Sequence, residues 1–314
     1  MDKNKTNEFE LEIANKEITD LIGQSQIKEE LKSAMLMRRH TIIVGPPGIG
    51  KTTLVKGLAK ILPKLEGSNE DTQRPFIRVQ GSPDLTAEDL LGDIDPTKAL
   101  EYGPTSPQAF TPGKIFKADK GILFFDEVNR TSEKLQNALL QVLEEKIATI
   151  GSYDLDFNAD FMFIGTMNPE ESSTEPLSDV FLDRFDLIYM EAPKDTSTEL
   201  KIVQSKGKKL VEYPEKLLGT TVEYIRKLRA SQDLEKHPSV RATIGIYERA
   251  QSNAYIAKRK QVNAKDIERA TISVLSHRIG LKPSIKYAKS SSEFLKEEFK
   301  NFFQDSLKET GSSP

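Results

Sequence analysis

Apolar residues follow two rhythms along this chain, and the mixture of the two changes once. Short runs of apolar or β-branched residues occur at Thr41–Val44, Phe76–Val79, Ile122–Phe125, Phe161–Gly165 and Leu187–Met190. Their length and composition predict strands buried on both faces, as in a parallel sheet. Between them the apolar positions recur at helical spacing. Ile27, Leu31, Ala34 and Met35 mark one helix over Ser25–Met37. Leu54, Val55, Leu58, Ala59, Ile61 and Leu62 mark another over Lys51–Leu62, stopped by Pro63. Strand, glycine-rich loop and helix in succession predict an α/β unit.

After Pro193 the strand pattern stops. Thr196–Lys206, Pro214–Ser231, Ser239–Lys258 and Asn263–Arg278 read as four helices, so a domain boundary is expected near Ala192–Asp195. In Ser291–Leu307, residues Phe294, Leu295, Phe299, Phe302, Phe303 and Leu307 share one helical face. That face predicts docking on the chain's own surface, with a partner or neighbouring subunit as the alternative. Gly81–Gly113, rich in Gly, Pro, Asp and Thr, is too long for a plain connection and predicts an elaborated, functional loop. Ala148–Phe161 alternates around Gly151 (Ile150, Tyr153, Leu155, Phe157), as a β-hairpin does. Residues 1–16 are polar and charged, which predicts a loosely docked arm rather than a signal peptide.

Composition narrows the chemistry. The 314 residues suffice for one large domain or two modest ones. Lys and Arg number 45 against 48 Asp and Glu, a net charge of −3 that speaks against generic phosphate-backbone binding. There is no cysteine, and His40, His237 and His277 lie too far apart in sequence to read as a zinc site. The apolar runs are far shorter than a membrane span, so a cytoplasmic protein without a membrane partner is expected.

Gly45-Pro46-Pro47-Gly48-Ile49-Gly50-Lys51-Thr52 fits G-x-x-x-x-G-K-[ST] and has the context that pattern requires, a strand before and a helix after. Glycines allow successive backbone N–H groups to turn inward around phosphate oxygens, and the following helix aims its positive end at the same place. Lys51 would bridge the β- and γ-phosphates, the Thr52 hydroxyl would ligate Mg²⁺, and Thr53 follows in the first helical turn. Ile122–Glu127 then places acids at the end of a buried strand, where ligands of α/β proteins sit. Asp126 is suited to hold the metal, and Glu127 to activate a water for in-line attack. ATP and Mg²⁺ are therefore the expected cofactors, and ATP hydrolysis the expected reaction.

These motifs, taken in order, resemble the branch of AAA+ proteins that holds MoxR and the magnesium-chelatase ATPase subunits. The likeness rests on Gly45–Thr52, Gly92–Asp95, Phe110–Gly113, Phe124–Arg130, Ile164–Pro169 continuing through Glu170 and Glu171, Phe181–Phe185 and Ser239–Ala242. It runs from about Ile18 to Pro283 and weakens at Glu66–Arg74, Gly103–Gln108 and the tail. The resemblance implies a P-loop α/β domain (residues 17–192) with a five-stranded parallel sheet flanked by helices. A smaller all-α lid (195–285) and a C-terminal amphipathic helix and tail (286–314) would follow. It also implies roles. Asn168 matches the polar residue that holds the attacking water or γ-phosphate. Arg184 matches the arginine finger that completes a neighbour's site, and Arg241 the lid arginine that couples lid position to nucleotide. Arg130 is given an interface role. A homo-oligomeric ring, a hexamer, is implied, together with a protein client that includes a von Willebrand factor A-domain partner among the candidates. A chelatase subunit and a nucleic-acid loader are the alternatives.

Overall fold

A computed structural model describes residues 13–62, 74–103, 106–150, 155–169 and 177–309. Most of the expected N-terminal arm, the loop stretches 66–73 and 104–105, the hairpin residues Gly151 and Tyr153, and Glu170 and Glu171 lie outside them. The chain forms two compact units, Met1–Met190 and Glu191–Pro314.

In the first unit, α1 (Ser25–Leu36) precedes β1 (Thr41–Val44), the glycine loop and α2 (Lys51–Ile61). Next come β2 (Phe76–Gln80), α3 (Ala87–Leu91), β3 (Gly92–Ile94), α4 (Pro96–Tyr102), β4 (Phe110–Pro112) and α5 (Lys114–Lys117). The unit closes with β5 (Ile122–Asp126), α6 (Glu133–Glu145), β6 (Ile147–Ile150), β7 (Leu155–Asn158), β8 (Met162–Met167), α7 (Asp179–Leu182) and β9 (Asp186–Tyr189). Five of these strands build a parallel sheet in the order β2-β5-β8-β1-β9.

Alternation along the strands divides the core into two layers. Ile42, Val44, Leu123, Phe125 and Phe163 pack against Leu135, Leu139, Val142 and Leu143 of α6. Ile43, Phe124, Ile164 and Ile188 pack on the other side with Leu31 and Met35 of α1 and Leu54, Val55 and Leu58 of α2. The inner strands β1, β5 and β8 are buried on both faces and read as nearly unbroken apolar runs, while the edge strands β2 and β9 keep exposed positions. At its lower edge His40 supplies an unexpected cap: its Nδ1 accepts the Phe163 N–H at 3.1 Å. Burial lowers the pKa of this imidazole to about 4, so it stays neutral and able to accept.

Gly81–Gly113 is more ordered than a loop. β3 and β4 pair antiparallel, with Asp93 opposite Thr111, between short helices. Pro96 opens α4, and Asp95 Oδ1 caps it by accepting the N–H groups of Thr97 and Lys98. Three-residue strands carry no readable period, which is why the sequence suggests only a loop here. The Ala148–Phe161 expectation of a hairpin is met by antiparallel β6 and β7.

The second unit contains α8 (Thr196–Lys206), α9 (Glu215–Ala230), β10 (Leu234–Lys236), α10 (Val240–Ile256), α11 (Ala264–Leu275), β11 (Gly280–Leu281), α12 (Pro283–Lys286) and α13 (Ser291–Glu309). A two-stranded antiparallel ladder, β10 with β11, joins an otherwise helical unit. Ala242, Ile246, Ala250 and Ala254 of α10 share a core with Ile267, Ala270 and Val274 of α11. Glu199 of α8 is wholly buried, and its carboxylate accepts from Arg229 at 2.9 and 3.0 Å and from Thr243 at 2.7 Å. Burial alone would raise its pKa. The bonds and charge from Arg229, Thr243 and Arg226 outweigh that and hold it below the usual range.

The apolar face of α13 is covered by its own unit: Phe294, Leu295, Phe299 and Phe303 are buried in the same core. Phe299 meets the buried Tyr224 ring edge-on at 5.5 Å. Phe299→Ala should therefore destabilise this unit by about 3–5 kcal/mol, the usual loss for truncating a buried aromatic. Urea unfolding followed by far-UV circular dichroism measures it. A loss below about 1 kcal/mol, the scale of a surface change, contradicts this packing.

Candidate nucleotide site

The site is built on the C-terminal ends of β1, β5 and β8. Val44 lies level with Met167 of β8 and Tyr189 of β9. The next residue, Gly45, donates its N–H to the Met167 carbonyl at 3.1 Å, which ties the start of the loop to the sheet. The loop ends at Gly50, whose φ of 106° lies where side chains are strained and whose added Cβ would sit 2.7 Å from Leu21 Cδ1. Ile49 is buried and anchors the loop from below. No side chain caps the first turn of α2, the arrangement in which a helix N-terminus receives phosphate. Lys51 folds back across the loop, its Nζ donating to the carbonyls of Gly45 at 2.5 Å and Pro46 at 2.9 Å.

Asp126 is the last residue of β5, level with Gln80 of β2 and one position beyond the Phe125–Gly165 pair. Its Oδ1 accepts the Thr166 hydroxyl at 2.6 Å. Its Oδ2 accepts Arg78 Nη2 at 2.6 Å and the Thr52 hydroxyl at 3.3 Å. The two residues expected to hold the metal thus face each other. Their hard oxygens suit Mg²⁺, which takes few protein ligands and keeps water and nucleotide oxygens for the rest. Among the described residues no group of three or more His, Cys, Asp or Glu gathers as a metal cage.

Glu127 leaves the strand in the left-handed conformation, φ 57°, which costs on the order of 1–3 kcal/mol for a residue with a side chain. Two bonds stabilise the turn: the Glu127 N–H donates to Thr166 Oγ1 at 2.9 Å, and Arg130 N–H donates to the Glu127 carbonyl at 3.0 Å. The close passage requires glycine at position 81, where a Cβ would lie 2.0 Å from the Glu127 carbonyl oxygen. The Glu127 carboxylate is tethered through Oε2, which accepts Gln80 Nε2 at 2.8 Å and Arg130 Nη1 at 3.0 Å.

Asn168 follows β8 directly, and its carbonyl accepts Asn129 Nδ2 at 3.3 Å, so the ends of β5 and β8 are linked beside the loop. Arg184 does not join this cluster. Its guanidinium pairs with Glu144, with Nε 2.7 Å from Oε1, and Nη1 donates to the Val180 carbonyl at 2.7 Å. Arg241 is the second residue of α10 in the other unit, and its side chain is exposed.

Sequence reasoning missed Thr166, Arg78 and Gln80. A threonine inside a buried strand beside the acidic pair was the available signal for Thr166, which is fully buried. Phe76–Val79 is expected to be buried on both faces, but it is the edge strand β2, and Arg78 and Gln80, alternating with Ile77 and Val79, reach Asp126 and Glu127 at the end of β5. Thr166→Val keeps the shape but removes both hydroxyl bonds, leaving the Glu127 N–H and Asp126 Oδ1 without that partner. ATP turnover should fall by roughly tenfold or more, from bonds to charged and buried groups of about 1.5–3 kcal/mol, with the fold retained. Phosphate release beside circular dichroism measures this, and wild-type turnover in the variant contradicts the arrangement.

Comparison with known proteins places the chain. Residues 40–185 match the AAA domain (dynein-related subfamily), and residues 226–298 match an AAA lid domain. An uncharacterized protein, YeaC, of Bacillus subtilis is 28% identical over 85% of each chain. Chaperone MoxR1 of Mycobacterium tuberculosis is 26% identical over 83% of this chain and 73% of its own. The magnesium-chelatase subunit ChlI of Olisthodiscus luteus is 28% identical over 60% of each. Among solved structures, a point mutant of Thermotoga maritima RuvB shares the fold, with 20% identity, a TM-score of 0.52 and coverage of 83% of this chain and 73% of that one. Phosphate loop, acidic strand end, parallel sheet and helical lid all agree with these matches: the chain belongs to the AAA+ ATPases, in the branch that holds MoxR and the magnesium-chelatase ATPase subunits.

Proposed function

We propose that this AAA+ ATPase works as a ring of identical subunits, a hexamer, that remodels or activates a partner protein complex in the manner of a MoxR chaperone. The observation that carries the shared-site part of this reading is Arg184. It sits in the Leu182-Asp183-Arg184-Phe185 motif, and among the described residues its bonds go to Glu144 and Val180, with none to the glycine loop or the acidic pair. A cation held outside its own site is available to a neighbour's.

Each site residue has a role in this reading. Backbone N–H groups from Gly48 to Thr52, at the start of α2, would hold the phosphates, and Lys51 would exchange the Gly45 and Pro46 carbonyls for phosphate oxygens. Thr52 and Asp126 would hold Mg²⁺, which when bound would offset phosphate charge and polarise the transferred group. Glu127 accepts the proton of the attacking water, with Asn168 orienting that water. Arg184 of one copy stabilises charge at the next copy's γ-phosphate, and Arg241 couples the lid to the nucleotide. The β3–β4 and β6–β7 hairpins transmit the resulting motion to the client. A client with a von Willebrand factor A domain fits this reading. A metal-chelatase role is the second reading, favoured by the relatives named magnesium-chelatase subunits. It requires partner subunits that carry the metal-inserting site.

Two variants test the shared site together. Glu127→Gln loses its own base but keeps Arg184, while Arg184→Ala keeps its base but offers no finger. Each alone should turn over ATP at less than about a hundredth of the wild-type rate, given what such groups contribute. Mixed in equal amounts they should regain a measurable fraction, because Glu127→Gln supplies the finger to Arg184→Ala sites. No recovery in assembled mixtures, or an active Arg184→Ala alone, contradicts the shared site. Glu127→Gln, by holding the ATP state, is also the form in which to co-purify the client.

A further inference from the structure

Asp126 is a carboxylate that cannot be left alone. Its side chain is 12% exposed, and removing a charge from water without a compensating one is strongly unfavourable. The hydroxyls of Thr52 and Thr166 donate hydrogen bonds to it but bring no charge. Its one ion-pair partner among the described residues is Arg78, whose Nη2 lies 2.6 Å from Oδ2. That oxygen is also the one facing Thr52, so Arg78 occupies the side of the carboxylate on which the metal is to be held.

The partners differ in what departure costs them. Arg78 stands on edge strand β2 with its side chain 45% exposed, so it can turn into water at little cost. Asp126 ends a central strand and stays where it is. Arg78 also has a second bond, from Nη2 to Gln80 Oε1 at 3.2 Å, and the amide of Gln80 in turn donates to Glu127 Oε2 at 2.8 Å. A chain of contacts therefore runs from Asp126 through Arg78 and Gln80 to Glu127.

We infer that Arg78 is a resident counter-cation which neutralises Asp126 in the metal-free protein and which the divalent metal must displace. The inference rests on reading this site as the Mg²⁺-nucleotide site. A guanidinium and a divalent cation against one carboxylate oxygen repel each other, so the more mobile of the two leaves. Departure of Arg78 removes the anchor on Gln80 and with it one constraint on the Glu127 carboxylate. Arrival of the metal at Asp126 is in this way sensed at the water-activating residue. Arg78 is a positioning residue rather than one that touches the reacting atoms.

Binding of a fluorescent ADP analogue to the full chain, titrated with magnesium, tests this without turnover. Arg78→Ala and Arg78→Gln remove the competing charge. Each should reach half-maximal magnesium enhancement of binding at a concentration about fivefold lower than wild type, the scale of one half-exposed charged bond. Arg78→Lys keeps a cation and should stay within about twofold of wild type. The glutamine variant guards against a folding defect in the alanine one. An unchanged or raised magnesium requirement in the charge-free variants overturns the inference. A wild-type chain that fails to bind the analogue at any magnesium concentration overturns the nucleotide-site reading itself, and this inference with it.

Discussion

The site depends on the register of four neighbouring parallel strands. Because Val44 is level with Met167, and Asp126 with Gln80, the ends of β1, β8, β5 and β2 reach one lip of the sheet together. Residues distant in sequence then meet within hydrogen-bond distance: Thr52 and Asp126, Asp126 and Thr166, Gln80 and Glu127. A slip of one residue in any of these strands would exchange its two faces, and in β5 it would carry Asp126 toward an apolar layer. The two apolar layers that hold the register therefore also aim the chemistry.

Around that lip the chain spends stability on geometry. Glu127 is left-handed, Gly50 and Gly81 admit no side chain, and Asp126 is nearly buried. Each unfavourable feature has an identifiable partner: Thr166 for the Glu127 turn, Arg78 for the Asp126 charge. Thr166 serves both acids at once, accepting from the Glu127 N–H and donating to Asp126 Oδ1. A buried hydroxyl that accepts and donates in this way cannot be replaced by an apolar residue of the same shape without leaving a polar group unpaired.

Much of this was legible in the sequence because it is local. The phosphate loop, the Asp126-Glu127 strand end and the five sheet strands are contiguous segments whose patterns carry their own meaning. What escaped is non-local. Arg78 and Gln80 matter only because β2 lies beside β5, and nothing within Phe76–Gln80 announces that neighbour. The β3–β4 ladder and the β10–β11 pair are too short for any periodicity to build up. Composition misled in one respect. The net charge of −3 is a sum of unlike halves: residues 1–190 hold 21 Lys and Arg against 32 Asp and Glu, and residues 191–314 hold 24 against 16, together making the whole-chain 45 and 48. The lid unit is thus cationic, and the average over the chain says little about the partners either unit prefers.

Every role given to the residues at the lip depends on γ-phosphate chemistry there. The most direct measurement is inorganic phosphate released from ATP by the full chain, with and without magnesium, across protein concentrations that span self-association. The predicted result is saturable release that requires magnesium and rises per chain as copies associate. Neither bound nucleotide nor released phosphate at any concentration would contradict it.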